Sequence, residues 1–295
     1  MKLHYDTCPL CGEKHIAPVM TVKDHSITKE EFELWRCKSC SFLFTQNPPV
    51  ADYAGRYYQS EDYISHSDNQ EGVVNKLYHQ ARDFMLGQKY NLVNRLARGK
   101  RLLDYGTGTG YFTDFMVRKG FLAEGIEIDD GAREYGIKRF GITVHAPDFL
   151  FEGYSAGSFD VITLWHVLEH LYDPKRYLRQ FHELLGDGGT LIVAVPNHTS
   201  KDAEAYGPHW AAYDVPRHLW HFSPDTMAKI MEQTGFRVVE KRHMPLDPFY
   251  VSIMSQRYAR GGGIIQGGLR GLQSFATSLG NPEKGSSVIY VCQKQ

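Results

Sequence analysis

A short apolar run, Arg101-Leu-Leu-Asp-Tyr105, ends in Gly106-Thr-Gly108-Thr-Gly110 and passes directly into helical spacing from Tyr111 to Lys119. Strand, glycine loop and helix in that order leave few folds open, because glycines let a ligand approach backbone N–H groups at a helix start. A second strand, Leu122 to Ile128, carries Glu127 near its tip, where a carboxylate would grip a ribose diol. Ile142-Thr-Val144 then leads to Asp148, and Phe159 to Trp165 leads to another helix. Leu191 to Val195 follows the turn Gly186-Asp-Gly-Gly189, and a helix from Pro224 to Thr234 precedes the strand Phe236 to Glu240. Strands and helices alternating in this way specify an α/β fold, a doubly wound parallel sheet with helices on both faces.

The N-terminus is built differently. Cys8-Pro-Leu-Cys11 and Cys37-Lys-Ser-Cys40 have the spacing of a structural zinc site, two knuckles each aiming two thiolates at one point. Gly12 follows the first pair, and Ser41 stands where a second knuckle glycine often sits. A segment as short as 1–47 cannot hold itself together by hydrophobic burial, so the metal would supply its folding energy. A redox reading needs one pair opening a helix in a βαβ unit, and no such unit surrounds either pair. With four thiolates as ligands the metal has no open position, so we assign it no catalysis. Cys292, in the apolar strand Val288 to Cys292, reads as a buried small hydrophobe.

Pro48-Pro49 marks a boundary, and 48–99 reads as a Tyr-rich linker followed by helical segments that would cover a ligand at the glycine loop. Tyr53 to Tyr63 is too polar for a core element, and Gly72 to Arg98 reads as one long helix or two with a break near Gly87. The remainder, 100–295, reads as the ligand-binding α/β domain, with a candidate substrate loop at about 196–223 and an insertion at about 245–285. The insertion's glycines, Gly261 to Gly263 and Gly267-Gly268, suggest mobility, either a lid or a surface loop. With 33 basic against 34 acidic residues, no bulk field draws in nucleic acid or an anionic membrane. No apolar run is long enough to span a bilayer and the first residues lack a signal-like core, so the expectation is a soluble, cytoplasmic protein.

The ordered motifs resemble the class I S-adenosylmethionine-dependent methyltransferases. Leu102-Leu-Asp-Tyr-Gly-Thr-Gly-Thr-Gly110 is similar to their first motif and Gly125-Ile-Glu-Ile-Asp129 to their ribose-binding strand. Phe159 to His170 is similar to their fourth-strand motif, and Leu185 to Ile192 to the turn before their fifth strand. The cysteine pairs, the Tyr-rich linker and Trp-His-Val-Leu-Glu-His170 resemble a bacterial subfamily with an N-terminal zinc module, in the sugar C-methyltransferase and ubiquinone-type group. The resemblance implies S-adenosylmethionine against Gly106, Gly108 and Gly110, its ribose on Glu127 and its adenine amine near Asp148. The adenine ring would lie beside Ile128 and Phe149, with Trp165 also on the cofactor side and Asp104 orienting the loop.

The chemistry would sit at the carboxyl end of the fourth strand, on His166, Glu169 and His170. A base is optional for an amine acceptor and needed for a hydroxyl or a carbon acid. The resemblance to sugar C-methyltransferases points to His170 as base with Glu169 as its partner. Alternatively His170 only caps a helix, or His166, Glu169 and His170 hold a divalent metal. The segment Tyr206 to Phe222 is dense in aromatics and imidazoles, and loops of this kind in α/β domains are usually functional. Trp210, Tyr213, Arg217, His218 and His221 would form a substrate wall with one cation for a phosphate or carboxylate, and Tyr57 and Tyr58 would close the other side.

The acceptor this favours is a small molecule or a glycan precursor. An RNA methyltransferase using the zinc module for recognition is the weaker alternative. Residues 1–47 carry Lys2, Lys14, Lys23, Lys29, Arg36 and Lys38 against Asp6, Glu13, Asp24, Glu30, Glu31 and Glu33, a balance that makes no phosphate-binding surface. A non-catalytic cofactor-binding scaffold is the third reading, and the intact glycine loop with Glu127 argues against it.

Overall fold

The computed structural model describes residues 1–58 and 73–295; the part of the Tyr-rich stretch from 59 to 63 lies outside the described residues. The chain opens with three antiparallel strands, β1 (Ile16–Lys23), β2 (Glu31–Cys37) and β3 (Leu43–Thr45). A 3-10 turn, Ala51–Tyr57, buries Tyr57 completely, against the expectation that this stretch is too polar for packing. The Tyr57 ring meets Phe32 edge-on while its hydroxyl donates to Glu30, so an amphipathic ring satisfies both demands. Helix α1 (Val73–Leu96) runs without a break through Gly87, where a Cβ would meet nothing.

The sheet follows. β4 (Arg101–Tyr105), α2 (Tyr111–Arg118), β5 (Leu122–Ile126), α3 (Asp130–Phe140) and β6 (Thr143–His145) wind outward one way. The short α4 (Phe149–Glu152) leads to β7 (Phe159–Trp165), α5 (Pro174–Leu184) and β8 (Leu185–Pro196), which wind the other way. The expected turn Gly186–Gly189 is absorbed into β8, at the cost of a register slip against β7 between Phe159 and Val161. Helix α5 shows why these helices dock: Asp173 caps it, Pro174 opens it, and Leu178, Phe181 and Leu184 fall on one buried face.

The final elements are α6 (Lys201–Tyr206), β9 (Trp220–His221), α7 (Pro224–Glu232), β10 (Phe236–His243), α8 (Asp247–Arg260), α9 (Ile264–Gly280) and β11 (Ser287–Lys294). The large sheet has the order β10-β11-β8-β7-β4-β5-β6. It is mixed rather than wholly parallel, because β11 inserts antiparallel between β8 and β10. Strand order reverses on either side of β4, so the carboxyl ends of β4 and β7 form the crevice where open α/β sheets bind ligands.

The small sheet is not self-contained. Its order is β1-β2-β3-β9, and β9 comes from the 196–223 loop, with Leu43 opposite His221 and Phe44 opposite Trp220. Phe42, Phe44 and the buried cysteines join the same apolar core as β7, β8 and α5. In place of mobility, the insertion forms a packed helical pair, α8 against α9. Among the described residues no helix is long and apolar enough to cross a membrane.

Candidate functional site

The cofactor side is made by backbone. Gly106, Gly108 and Gly110 all take positive φ (77°, 56° and 84°), and their surroundings differ. A Cβ on Gly106 would lie 2.3 Å from Val167 and one on Gly110 2.5 Å from Ile142, whereas at Gly108 it would meet nothing. Two glycines therefore lock the loop against the sheet, and the middle one presents open backbone. Asp104 is buried beneath the loop and accepts from Thr163 (2.7 Å) and Thr113 (3.1 Å); burial pushes its carboxyl up, and the hydroxyl donors act in the opposite direction.

Glu127 stands just past β5 with one oxygen accepting from Gly108 N–H (2.7 Å) and the other from the N–H groups of Ile128 and Asp129. That fixes a two-pronged carboxylate acceptor at the rim of the open glycine, the kind of acceptor that the two hydroxyls of a ribose diol donate to. Ile128 is 79% exposed and so is no core residue. Phe149 stacks on His145 with ring centroids 3.7 Å apart. Asp148 is exposed at the start of α4 and makes no side-chain cap. Trp165 meets Phe112 edge-on at the end of β7.

The other half of the crevice is ionic. His166 follows β7 with φ of 60°, a left-handed backbone that costs a non-glycine residue energy and recurs at functional sites. Its Nδ1 lies 3.5 Å from Glu169 and its Nε2 3.5 Å from Asp247. Burial works against the charged ring, yet Asp247 and Glu169 outweigh it and hold the imidazole above its ordinary value of 6.5. Glu169 is fully buried, and neither oxygen has a hydrogen-bond partner among the described residues. Burial alone would raise its carboxyl, but His166, His218 and His170 surround it and bring it below the ordinary carboxylate value.

His170 and His218 share one arrangement. Each uses Nδ1 toward a carbonyl, His170 to Arg217 (3.1 Å) and His218 to Ala212 (2.9 Å). Their Nε2 atoms are therefore the unprotonated ones in the neutral rings. Burial, then His218, pushes His170 down to about 4, so it is neutral near pH 7. The Tyr58 hydroxyl lies 3.2 Å from His170.

The loop residues expected to form a substrate wall are mostly spent on packing. Arg217 does not face an anionic acceptor: it is buried, pairs with Asp24 (3.1 Å) and Asp214 (2.6 Å), and donates to the Tyr57 carbonyl (2.8 Å). Trp210 is buried with its indole N–H on Asp202 (2.8 Å), and Tyr213 packs edge-on against it. His221 is buried beside Thr45 (3.0 Å), and Tyr57 is held by Phe32, Glu30 and Arg56. Of that set Tyr58 and His218 bring side chains to the His170–Glu169 cluster, and Arg217 brings its backbone carbonyl.

The four N-terminal thiols converge. Cys8 Sγ lies 3.5 Å from Cys40 Sγ and Cys11 Sγ 3.6 Å from Cys37 Sγ, all four lying within 4.8 Å of one another. Tetrahedral zinc with thiolate bonds near 2.3 Å sets sulfurs about 3.8 Å apart, so the donor set fits that ion. Burial raises Cys37, but backbone N–H groups of Cys40 and Ser39 with neighbouring thiols bring it down to about 7. Both knuckles close on a left-handed residue, Gly12 (78°) and Ser41 (66°), whose N–H groups donate to Cys8 and Cys37 carbonyls.

Two residues at the site escaped the sequence reading. Lys89, on α1, lies 4.4 Å from the Trp165 ring centre; burial lowers its ammonium to about 8, with Asp104 and Asp247 opposing the drop. Asp247 had one signal, being the only acid between Glu240 and Glu283.

Residues 77–241, more than half of the chain, match the methyltransferase domain family, and the protein belongs to that family. Its curated relatives include a ubiquinone biosynthesis O-methyltransferase of Cereibacter sphaeroides, 30% identical over 51% of this chain and 65% of the relative. Another of that name, from a Caulobacter strain, is 37% identical over 35% of this chain and 43% of the relative. The chain thus spans less than two thirds of the length of these relatives. Among solved structures, phosphoethanolamine N-methyltransferase 2 of Haemonchus contortus in complex with S-adenosyl-L-methionine gives a TM-score of 0.52 at 14% identity, covering 85% of this chain and 62% of that one. A SAM-dependent methyltransferase of Archaeoglobus fulgidus gives 0.50 at 17% identity, covering 72% and 94%. At these identities the structures establish the shared fold.

Proposed function

We propose that the protein transfers a methyl group from S-adenosylmethionine to a hydroxyl of a small-molecule acceptor, a glycan precursor included. The observation that carries the cofactor half is the open backbone at Gly108 beside the Glu127 carboxylate. When bound there, S-adenosylmethionine supplies a methyl group already activated by its sulfonium. The chain's task is to hold an acceptor oxygen in line and remove its proton.

For that task His166 is better placed than His170. Its ring stands at the strand end and lies between two carboxylates that stabilise the protonated form after it takes a proton. His170, kept neutral by burial, positions the cluster through Arg217 and Tyr58. The name O-methyltransferase among the relatives supports a hydroxyl acceptor, which needs such a base. The test is incubation with methyl-labelled S-adenosylmethionine and a desalted extract to which small metabolites are restored. Label in a small nuclease-resistant product is the expected result, and label in RNA would overturn it.

A specific observation favours a second reading. Glu169, His170 and His218 each bring one ligand atom within 4.8 Å of the others, while His166, expected in such a set, stands outside it. Two Nε2 lone pairs beside a buried carboxylate, each ring oriented through its other nitrogen, suit a divalent cation that would bind the acceptor oxygen. Dialysis against a chelator followed by metal analysis tests it. Retained activity in metal-free protein would remove this reading and leave the first intact.

A further inference from the structure

The α8–α9 hairpin packs the wrong way round for a helix pair facing water. Gly267, Gly271, Ser274 and Ser278 are the buried residues of α9. A Cβ on Gly267 would lie 2.6 Å from Ile253 Cα, and one on Gly271 2.7 Å from Phe249 Cα, so the two backbones are in direct contact. Putting the small residues inside turns the large ones out. Ile265 is 78% exposed, Leu269 63%, Leu272 53% and Leu279 60%, with Ala276 exposed among them. Alternating steps of four and three residues keep these five on one stripe along the helix. An ordinary surface helix buries such a stripe, and a contiguous exposed one marks a contact.

The charge content of the hairpin selects the partner. From Pro248 to Pro282 the sequence contains Arg257, Arg260 and Arg270 and no acidic residue. The hairpin's one acid, Asp247, is engaged by His166 and Ser287 in the crevice, so pairing with a second copy through this face would bring arginines of both copies together with no other acid in either hairpin to balance them. Anionic headgroups supply that balance, and acyl chains accept the aliphatic stripe. We propose that α9 lies flat on an anionic lipid surface, with Ile265, Leu269, Leu272 and Leu279 inserted at the headgroup boundary and Arg270 against lipid phosphates. The hairpin begins at Asp247, which lies 3.5 Å from His166, so the docked face is anchored directly to the ionic crevice. The inference concerns the surface alone and stands whether or not the acceptor assignment holds.

Co-sedimentation of the full-length protein tests it, using vesicles of phosphatidylcholine with phosphatidylglycerol and vesicles of phosphatidylcholine alone. The expected result is binding to the mixed vesicles, at least tenfold stronger than to the neutral ones. Leu269→Gln/Leu272→Gln is expected to lower that binding at least tenfold. Both side chains are exposed, so S-adenosylmethionine titration of the variant should match the wild type and rule out misfolding. No binding to mixed vesicles, or equal binding by the variant, overturns the proposal. So does equal binding to both vesicle types. A dimer in sedimentation velocity that the double substitution disperses would assign the stripe to a second copy instead.

Discussion

The two halves of the crevice are made from different material. The cofactor half is contributed by β4, β5 and the loops that leave them: three glycines, one carboxylate and the helix start at Tyr111. The acceptor half gathers side chains from distant segments, with His166, Glu169 and His170 after β7, His218 from the long loop, Asp247 from the insertion and Tyr58 beyond the zinc module. A cradle for a constant ligand can be written locally in backbone conformation. A wall that holds and deprotonates an acceptor needs charges assembled by the tertiary fold, and here Arg217 ties that assembly to the module through Asp24 and Asp214.

Removing the proposed base should give the largest effect. His166→Ala is expected to lower turnover roughly 100- to 10,000-fold, the usual range for a general base, with S-adenosylmethionine affinity unchanged. His170→Ala should cost less, and if the two fall equally in steady-state kinetics, the base and the positioning residue have been misassigned between them.

The N-terminal four-cysteine module gives the next largest effect. Removing one of the two carboxylates that hold the buried Arg217, by Asp24→Ala, should destabilise the protein by about 1.5–3 kcal/mol in denaturant unfolding, with Asp214 left as its remaining partner. Chelating the metal should cost activity as well, since β3 pairs with β9 and the 196–223 loop would lose its anchor. Full activity in zinc-free protein would separate the two halves that this account joins. The smallest effect belongs to the second knuckle. Ser41→Gly removes a left-handed strain and should raise stability by about 0.5–1 kcal/mol, measured by the same unfolding curve.

The proposed cofactor half stands out in the sequence because its signals are contiguous. Gly106 to Gly110, Glu127 and the strand-helix alternation each declare themselves within a few residues. The thiols of Cys8, Cys11, Cys37 and Cys40 were legible for the same reason. The acceptor half was read only in part. His166, Glu169 and His170 stand together in sequence, but which of them faces a carboxylate depends on Asp247, eighty residues on. The aromatic loop misled because composition does not reveal direction. Trp210, Tyr213 and His221 look the same in sequence whether they line a pocket or, as here, pack beneath it against Asp202 and Thr45. The insertion's glycines misled in the same way, since Gly267 and Gly271 serve close helix contact rather than mobility.

Titration calorimetry of S-adenosylmethionine against the wild type and Glu127→Ala tests the central claim most directly. The account predicts one site per chain, weakened about 10- to 100-fold in the variant through loss of a charge-assisted pair of hydrogen bonds. No binding by the wild type, or equal binding by both proteins, would contradict it.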